Sequence, residues 1–322
     1  MANIKLVGEG NVELIAGGGK IFTDIAARFV KSERDLEDII ATPYNKKIVE
    51  TIINSGHEAC TEFDWFIFGV EGYARVSEVQ LVRKRLASYM IKSGRAELNG
   101  KRSFGVVVPE NIKNHATKVS IPVSMLRNQS GGRLELKEGQ ADSNNHVWLN
   151  IDTNFVLNCI ECWYGAGVNQ GIPEEDLRYL KPQATEFKAL IGMNAHSLRD
   201  WFRIRCCKNA QSEIRDMAMK MLKICKKATP DLFKDAGPNC ARMGYCPENN
   251  MQHEDCKGVW PTKDLAMKII KDKYKNKVYQ CDSCGLHQQG YDKKEGGDCS
   301  VSNCDGKLKY KGVEYYGKRQ LH

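Results

Sequence analysis

The chain has 322 residues, 42% of them hydrophobic, and carries a formal net charge of +8. This length fits two domains, or one large domain with additions, around an ordinary hydrophobic core. The sequence contains no run of eighteen apolar residues and no apolar run of the export type at its N-terminus, so we expect a cytoplasmic protein without a membrane-spanning helix. The positive charge is consistent with an anionic ligand or simply with solubility.

Short strands and then helices are predicted in the N-terminal part of the chain. Alternating apolar residues predict strands within residues 1–20, closed by a turn at the Gly17-Gly18-Gly19 triplet. The triplet lacks the Gly-Lys-Ser/Thr ending of a phosphate-binding loop. Residues 33–54 are predicted to form two helices, the first capped by Ser32 and the second starting at Thr42-Pro43.

A polar and basic stretch occupies residues 80–95. Its fixed cations and uncharged hydrogen-bonding side chains are Arg83, Lys84, Arg85, Arg95, Gln80, Ser88, Tyr89 and Ser93. Arginine forks suit phosphate, whereas a solvated helix face is the alternative interpretation. If the stretch is helical, Val79, Val82 and Leu86 share its apolar side.

The middle of the chain alternates between a polar insertion and helices. Apolar runs at 118–121 and 147–151 predict a β-excursion within an insertion at about residues 110–150, to which no function is assigned. Residues 152–168, 174–180 and 185–205 are predicted to be helical. The clearest helix is 210–226, because its apolar residues form a continuous stripe that core packing explains.

Four blocks between about residues 50 and 225 occur in an order and spacing known from one protein family. The blocks are Gly56-His57-Glu58 with Glu62 and a strand at 66–68; Arg83-Lys84-Arg85 with Ser93 and Arg95; Gly171 to Arg178 with Leu180 and Pro182; and Asn194 to Leu198 with Arg205 and 210–215. They resemble the motifs of the flavin-dependent thymidylate synthases. The resemblance implies an α/β (α+β) core with a mixed or antiparallel sheet and helices.

The resemblance also implies a reaction. Members of the family methylate carbon 5 of dUMP with methylenetetrahydrofolate as the one-carbon donor, while NADPH reduces a bound FAD and no protein nucleophile is required. Arg205 would stabilise the charge that develops on uracil. The residues implied to bind dUMP are Gln80, Ser93, Arg95, Arg178 and Arg205. Those implied to face FAD are His57, Glu62, Arg83, Lys84, Arg85 and Asn194, supplied by different subunits of a homotetramer.

Several positions depart from the family pattern. Lys84 stands in place of the motif histidine, and Met90 and Ile91 stand where polar residues are usual. His196 replaces a usual arginine, and Asp200 a usual asparagine or histidine. The alternatives to thymidylate synthesis are therefore a hydroxymethylated pyrimidine, action on another nucleotide, or a non-catalytic nucleic-acid-associated protein on this fold.

The C-terminal part of the chain is rich in cysteine. The chain has thirteen cysteines, and an odd count without an export signal argues against a disulfide framework. Two knuckles of the type that binds one tetrahedral Zn²⁺ are formed by Cys281, Cys284, Cys299 and Cys304. Four sulfur ligands leave no open position, so the zinc would be structural. This predicts a zinc ribbon at 276–322, which would contact nucleic acid or protein.

The remaining C-terminal cysteines leave the domain plan partly open. Residues 1–235 are assigned to the synthase-like core and residues 236–275 to a cysteine-containing linker. Cys240, Cys246 and Cys256 with His253 have a looser spacing than a known knuckle. Whether they bind a second metal stays open at this stage.

Overall fold

The computed structural model describes residues 4–18, 21–93, 104–122, 142, 144–273, 275–289, 295–301 and 303–315. The chain divides into two compact units, Met1–Pro238 and Asn239–His322. The further division of the second unit into a linker and a zinc ribbon stays a prediction.

Antiparallel strand pairing dominates the first unit. Its strands are β1 (Ile4–Leu6), β2 (Asn11–Ala16), β3 (Trp65–Ala74), β4 (Ser88–Ile91), β5 (Val106–Val108), β6 (Ala116–Pro122), β7 (His146–Asp152) and β8 (Glu186–Asn194). A four-stranded antiparallel sheet has the order β2-β3-β8-β4. β1 pairs in parallel with β5, and β6 pairs with β7 as an antiparallel hairpin inside the predicted insertion. The mixed α+β fold class is confirmed.

Helices alternate with these strands. They are α1 (Thr23–Lys31), α2 (Leu36–Ala41), α3 (Lys46–Ser55), α4 (Arg75–Leu81), α5 (Glu110–Lys113), α6 (Thr153–Asn169), α7 (Glu174–Leu177), α8 (Ala195–Arg205), α9 (Ser212–Ala228) and α10 (Pro230–Phe233). Local chemistry sets their ends. The side chain of Asn45 accepts from the backbone N–H of Lys47 to begin α3, and Gly56 ends it with a left-handed φ of 75°. None of the helices described is long and apolar enough to cross a membrane.

The main core lies between α9 and the four-stranded sheet. The apolar stripe predicted for α9 is buried as expected, at Ile214, Met217, Ala218, Met221, Leu222 and Cys225. The stripe belongs to the same core cluster as inward-facing residues of β3 and β8, among them Phe68 and Ile191. Each large apolar side chain buried in this way contributes roughly 1.5–3 kcal/mol. This packing fixes the position of the sheet and of the helices that begin and end beside it.

The prediction of a helix over residues 185–205 was wrong for its first half. Residues 186–194 form β8, which pairs with β3 on one side and β4 on the other. Phe187, Ala189, Ile191 and Met193 are buried at alternate positions, which is the period of a strand. The helix α8 begins only after Asn194, whose side chain accepts from the backbone N–H of Ser197 at 2.8 Å.

The basic stretch at residues 80–95 also does not form one continuous helix. α4 ends at Leu81, and the chain turns before it enters β4. The hydroxyl of Tyr89 lies 2.9 and 3.0 Å from the carbonyl oxygens of Leu81 and Lys84 and shares its one proton between them. It thus contacts a carbonyl at the end of α4 and one in the turn that follows. Val79, Val82 and Leu86, predicted to share an apolar side, are all exposed, including Val79 inside α4.

Two predicted helix starts near the N-terminus were misplaced. Asp35 precedes α2 and Asn45 caps α3, in place of Ser32 and Thr42-Pro43. α1, over Thr23–Lys31, was not predicted. A residue far away in the sequence stabilises the start of this helix: the Asp64 carboxylate accepts from the N–H groups of Phe22 and Thr23 at 2.7 and 3.0 Å.

The second unit contains two α-helices, two short 3₁₀ helices and a small sheet among its described residues. The α-helices and strands are α11 (Asn239–Met243), α12 (Lys263–Lys273), β9 (Lys275–Cys281), β10 (His287–Gln289) and β11 (Leu308–Tyr315). The strands pair antiparallel in the order β10-β9-β11. Tyr279, Cys281 and Leu308 form its buried cluster, against which Cys299 and Cys304 pack.

Candidate functional site

Arg205 and Gln80 meet although 125 positions separate them. Arg205 is the last residue of α8, and Gln80 lies in the last turn of α4. Nη1 of Arg205 donates to the side-chain carbonyl of Gln80 and Nη2 to its backbone carbonyl, both at 3.2 Å. Nε2 of Gln80 in turn donates to Oε1 of Gln211 at 3.4 Å. Gln211 thus holds the nitrogen of the Gln80 amide, while the oxygen of that amide accepts from the guanidinium.

The guanidinium of Arg205 is partly withdrawn from water. This burial lowers the pKa of Arg205 from its ordinary value. Arginine nevertheless stays protonated at neutral pH and has five N–H donors. The arrangement can therefore present a fixed positive charge with donors to spare for a ligand oxygen.

Within the described part of the chain, the structure does not join the other residues predicted to bind dUMP to this pair. Ser93 and Arg178 are exposed. The guanidinium of Arg178 makes no hydrogen bond or ion pair with the described residues. Arg95 lies outside the described residues.

The basic triplet occupies the turn between α4 and β4. Arg83 and Arg85 are exposed and form no ion pair within the described part of the chain. Lys84 differs, because only 17% of its side chain is exposed and its ammonium pairs with the Oδ2 of Asp200 on α8. Arg83 and Arg85 therefore carry unpaired charges within this part of the chain, whereas the Lys84 ammonium is held in place by Asp200 and keeps N–H donors for a ligand.

A cavity of about 1050 Å³ opens beside α1, α3 and the turn at Glu58–Phe63. His57 and Glu62, both predicted to face FAD, line it. Most of the exposed lining surface is apolar. Lys31 and Lys47 add positive charge to the wall, while Glu58 and Glu62 add negative charge. A space of this size and lining suits a large ligand that combines a flat ring system with anionic groups.

Asn194 is held in place by its role as a helix cap. Its Oδ1 accepts from the backbone N–H of Ser197, so this oxygen is already engaged. An amide that uses its oxygen in this way still has two N–H donors. The cap therefore fixes the Asn194 amide and leaves its two N–H donors for a group that accepts hydrogen bonds.

Glu58, a member of the first motif block that was not among the residues implied to face FAD, is central to this region. It is buried, and both of its oxygens accept from Nη2 of Arg203, at 3.2 and 3.1 Å. Its Oε1 also accepts from Nη2 of Arg199 at 3.3 Å, and Nδ1 of His196 lies 4.0 Å from its Oε2. His196 and Glu58 both line the cavity.

Arg199 is the buried arginine of this cluster and connects Glu58 to Asp235. Only 2% of its side chain is exposed, and it donates to both oxygens of Asp235 at 2.8 and 3.1 Å and to the Leu232 carbonyl. Burial alone would lower the pKa of Arg199, but the carboxylates of Asp235 and Glu58 outweigh it and hold the pKa above its ordinary value. The signal in the sequence was the spacing of 196, 199, 200 and 203, which places polar groups on one side of a helix.

The four predicted zinc ligands come together in the second unit. The sulfur atoms of Cys281, Cys284, Cys299 and Cys304 all lie within 4.8 Å of one another. Two of the separations are 3.6 Å (Cys281 to Cys304) and 3.7 Å (Cys284 to Cys299). Four Zn–S bonds of about 2.3 Å in a tetrahedron place the sulfurs about 3.8 Å apart. The cluster therefore has the dimensions of a four-thiolate zinc site.

The second candidate metal group is not assembled. Among the residues that the structure describes, the four cysteines above are the only set of three or more ligating side chains within 4.8 Å. Cys246 is buried, and the ring of His253 accepts from the backbone N–H of Asp255 at 3.2 Å. This geometry does not support a metal held by Cys240, Cys246, Cys256 and His253.

Comparisons with known proteins bear on the first unit. The family described as thymidylate synthase complementing protein matches residues 19–231. The flavin-dependent thymidylate synthase of Geobacter sulfurreducens is 34% identical over 203 residues, which are 63% of this chain and 74% of that protein. The one of Pyrococcus furiosus is 32% identical over 233 residues, 70% of this chain and 78% of that protein.

A solved structure shares the architecture. It is the UMP/dUMP methylase PolB from Streptomyces cacaoi bound with 5-Br dUMP, which covers 71% of this chain and 95% of its own with a TM-score of 0.50. At 19% identity this likeness concerns the fold alone. The four motif blocks fall within the family match at residues 19–231, and relatives exceed 30% identity. The chain therefore belongs to the flavin-dependent thymidylate synthase family and is an enzyme of that type.

Proposed function

We propose that this enzyme methylates carbon 5 of dUMP, with methylenetetrahydrofolate as the one-carbon donor, NADPH as the reductant and FAD as the bound cofactor. The observation that carries the proposal is the contact of Arg205 with Gln80, in a chain of this family. This contact joins two residues that the family motifs both assign to dUMP binding.

Arg205 performs the electrostatic part of the reaction. Attack by carbon 5 requires negative charge to build up on the uracil ring. A guanidinium that Gln80 already holds in one orientation stabilises this charge without rearranging during the reaction. Ser93, Arg95 and Arg178 would bind the nucleotide, the hydroxyl as a hydrogen-bonding group and the arginines as forks for phosphate or base.

The chain offers a fitting place for FAD. The cavity has apolar walls for a ring system, His57 and Glu62 as polar contacts, and two lysines for phosphate. Arg83 and Arg85 are exposed cations, and Lys84 and Asn194 are held in place by Asp200 and by the cap of α8. When bound, FAD supplies the reducing equivalents that turn the transferred one-carbon unit into a methyl group.

The outer face of the sheet supports the proposal of a homotetramer. Large apolar side chains are exposed there on all four strands, at Ile15, Trp65, Ile67, Leu190 and Met90. The register places Ile67, Leu190 and Met90 on the same face of the sheet. A contiguous exposed apolar surface of this kind marks a protein interface. A second copy of the chain would cover it and could add residues to the site.

The cysteine cluster is proposed to hold one structural Zn²⁺. Its four sulfurs match the size of a tetrahedral site, and all four positions are filled by the protein. The metal would stabilise the fold around β9 and β11 and take no part in the reaction. The basic C-terminal region would then serve as a contact for nucleic acid or another protein.

The test is to incubate the purified enzyme with dUMP, methylenetetrahydrofolate, NADPH and FAD and to identify the nucleotide by mass. A product with one added methyl group supports the proposal, and the variant Arg205→Met should not form it. Arg242→Met is the matched control, because Arg242 is an exposed arginine of the second unit. A hydroxymethyl product would show a redirected reaction at the same site. Unchanged dUMP would contradict the proposed activity.

A further inference from the structure

A row of oppositely charged side chains runs along one side of α8. In order, its members are Lys84, Asp200, Arg203, Glu58, Arg199 and Asp235. The row starts at the basic turn after α4 and reaches Glu58 at the cavity. Cations and anions alternate in equal number, so the row as a whole is neutral. It connects the two regions that are proposed to hold FAD.

Lys84 and Asp200 form the outer end of this row. Asp200 accepts from Lys84 through Oδ2, while its Oδ1 lies 4.0 Å from Nη1 of Arg203. The side chain of Lys84 is 17% exposed and that of Asp200 is 43% exposed. The charge on a lysine side chain withdrawn from water to this extent needs a counter-charge, and without one the side chain samples many rotamers. Asp200 therefore determines where the Lys84 ammonium lies.

We propose that Asp200 is a positioning residue that holds Lys84 for FAD, and that the two side chains together replace the single histidine of the family motif. This inference rests on the proposed function. A neutral imidazole offers one donor and one acceptor, whereas an ammonium offers donors only. The neighbouring carboxylate of Asp200 supplies the missing acceptor. The pair thus presents both kinds of group at one place.

The pairing predicts that the two positions depend on each other. Asp200→Asn leaves the largely buried Lys84 side chain without its counter-charge, and Lys84→His leaves a carboxylate beside an anionic cofactor. The double variant Lys84→His with Asp200→Asn restores a neutral combination of the residues usual in the family. We expect each single change to raise the Kd for FAD at least tenfold, and the double variant to lie within threefold of the wild type.

The experiment titrates each purified variant with FAD and follows the flavin fluorescence, so that turnover is not needed. Asp200→Glu keeps the carboxylate and should weaken FAD binding less than Asp200→Asn. Lys257→Met is the control, since it removes a cation from an exposed pair with Glu254 in the second unit and should leave the Kd unchanged. Thermal unfolding of each variant verifies that it is folded.

Two results would overturn the inference, and they can be told apart. If the wild type binds FAD and the double variant shows the product of the two single effects, Lys84 and Asp200 act independently and the pair is not a unit. If the wild type itself binds no FAD, the proposed function fails and the inference fails with it.

Discussion

The guanidinium of Arg205 is held by two carbonyl oxygens of the same residue, Gln80. Two hydrogen bonds of this kind need the planar, forked guanidinium of arginine, which lysine lacks. Arg205→Lys keeps the charge and loses the fork, so we expect kcat for dUMP methylation to fall about 100-fold. The Kd for FAD should stay within threefold of the wild type. Steady-state kinetics and a flavin titration measure the two quantities, and an unchanged kcat would remove Arg205 from the proposed role.

The negatively charged Glu58 pairs with two arginines at once, one of them fully buried. Glu58→Gln removes that charge and leaves Arg199 with Asp235 as its only anionic partner among the described residues. Breaking a buried ion pair in this way costs about 3–5 kcal/mol, so we expect the free energy of unfolding in urea to drop by about 3 kcal/mol.

A matched control for Glu58 exists on the sheet. Glu71 pairs with Lys188 at an exposed position, and exposed pairs contribute about 0–1 kcal/mol. Glu71→Gln should therefore change the unfolding free energy by less than about 1 kcal/mol. Equal losses for the two variants would mean that burial does not set the strength of the Glu58 cluster.

At the scale of elements, Glu213 joins the start of α9 to the start of α4. Its carboxylate accepts from the backbone N–H of Ala74 at 2.7 Å and from the Ser77 hydroxyl. Burial raises the pKa of Glu213 above its ordinary value, although these two hydrogen bonds offset part of the rise. The folded state therefore favours the protonated carboxyl. This contribution to stability is complete below the unfolded pKa of about 4.5 and is lost as the pH rises through the folded pKa.

Glu213→Gln should remove this dependence on pH. Glutamine cannot ionise and still offers an acceptor and a donor to Ala74 and Ser77. We expect the variant to be more stable than the wild type at pH 8 by on the order of 1 kcal/mol, with a smaller difference at pH 5. Urea unfolding at the two pH values measures it. A difference that stays constant with pH would show that Glu213 is not the titrating group.

In the small sheet, Gly306 lies against the cysteine cluster. A Cβ atom at this position would come within 2.3 Å of the Cys281 sulfur and 2.7 Å of the Ser283 Cβ. Gly306→Ala should therefore displace a ligand and lower the affinity for zinc about 10–100-fold. Zinc content after dialysis against a chelator measures the effect. Gly165→Ala is the control, because nothing lies within 4 Å of its added Cβ, and full zinc retention by Gly306→Ala would contradict the proposed site.

At the scale of the whole molecule, the apolar face of the sheet should govern assembly. Leu190 is 45% exposed on this face, and Met219 is 48% exposed on α9. A carboxylate inside a packed interface is costly, so Leu190→Glu should convert the proposed tetramer into smaller species. Met219→Glu is the matched control and should not. Light scattering gives the masses, and a wild-type monomer would contradict the tetramer itself.

Much of the fold follows from local patterns. The apolar stripe at 210–226 predicted α9, the apolar runs in the insertion predicted the β structure that β6 and β7 form, and cysteine spacing predicted which four sulfurs come together. Each of these features depends on residues that are close together in the sequence. The spacing of apolar residues sets the type of element, and the spacing of cysteines sets which of them can bind one metal.

Other features depend on partners far away in the sequence. Residues 186–194 form a strand because β3 and β4 bind its two edges, which the sequence around β8 does not show. Lys84 and Asp200 are 116 positions apart, and Gln80 and Arg205 are 125 apart. By itself the sequence determined the family, the residue types of the site and the local elements. Only the tertiary structure decided which charges neutralise each other and which stay available, because that depends on which ends of α4 and α8 the sheet brings side by side.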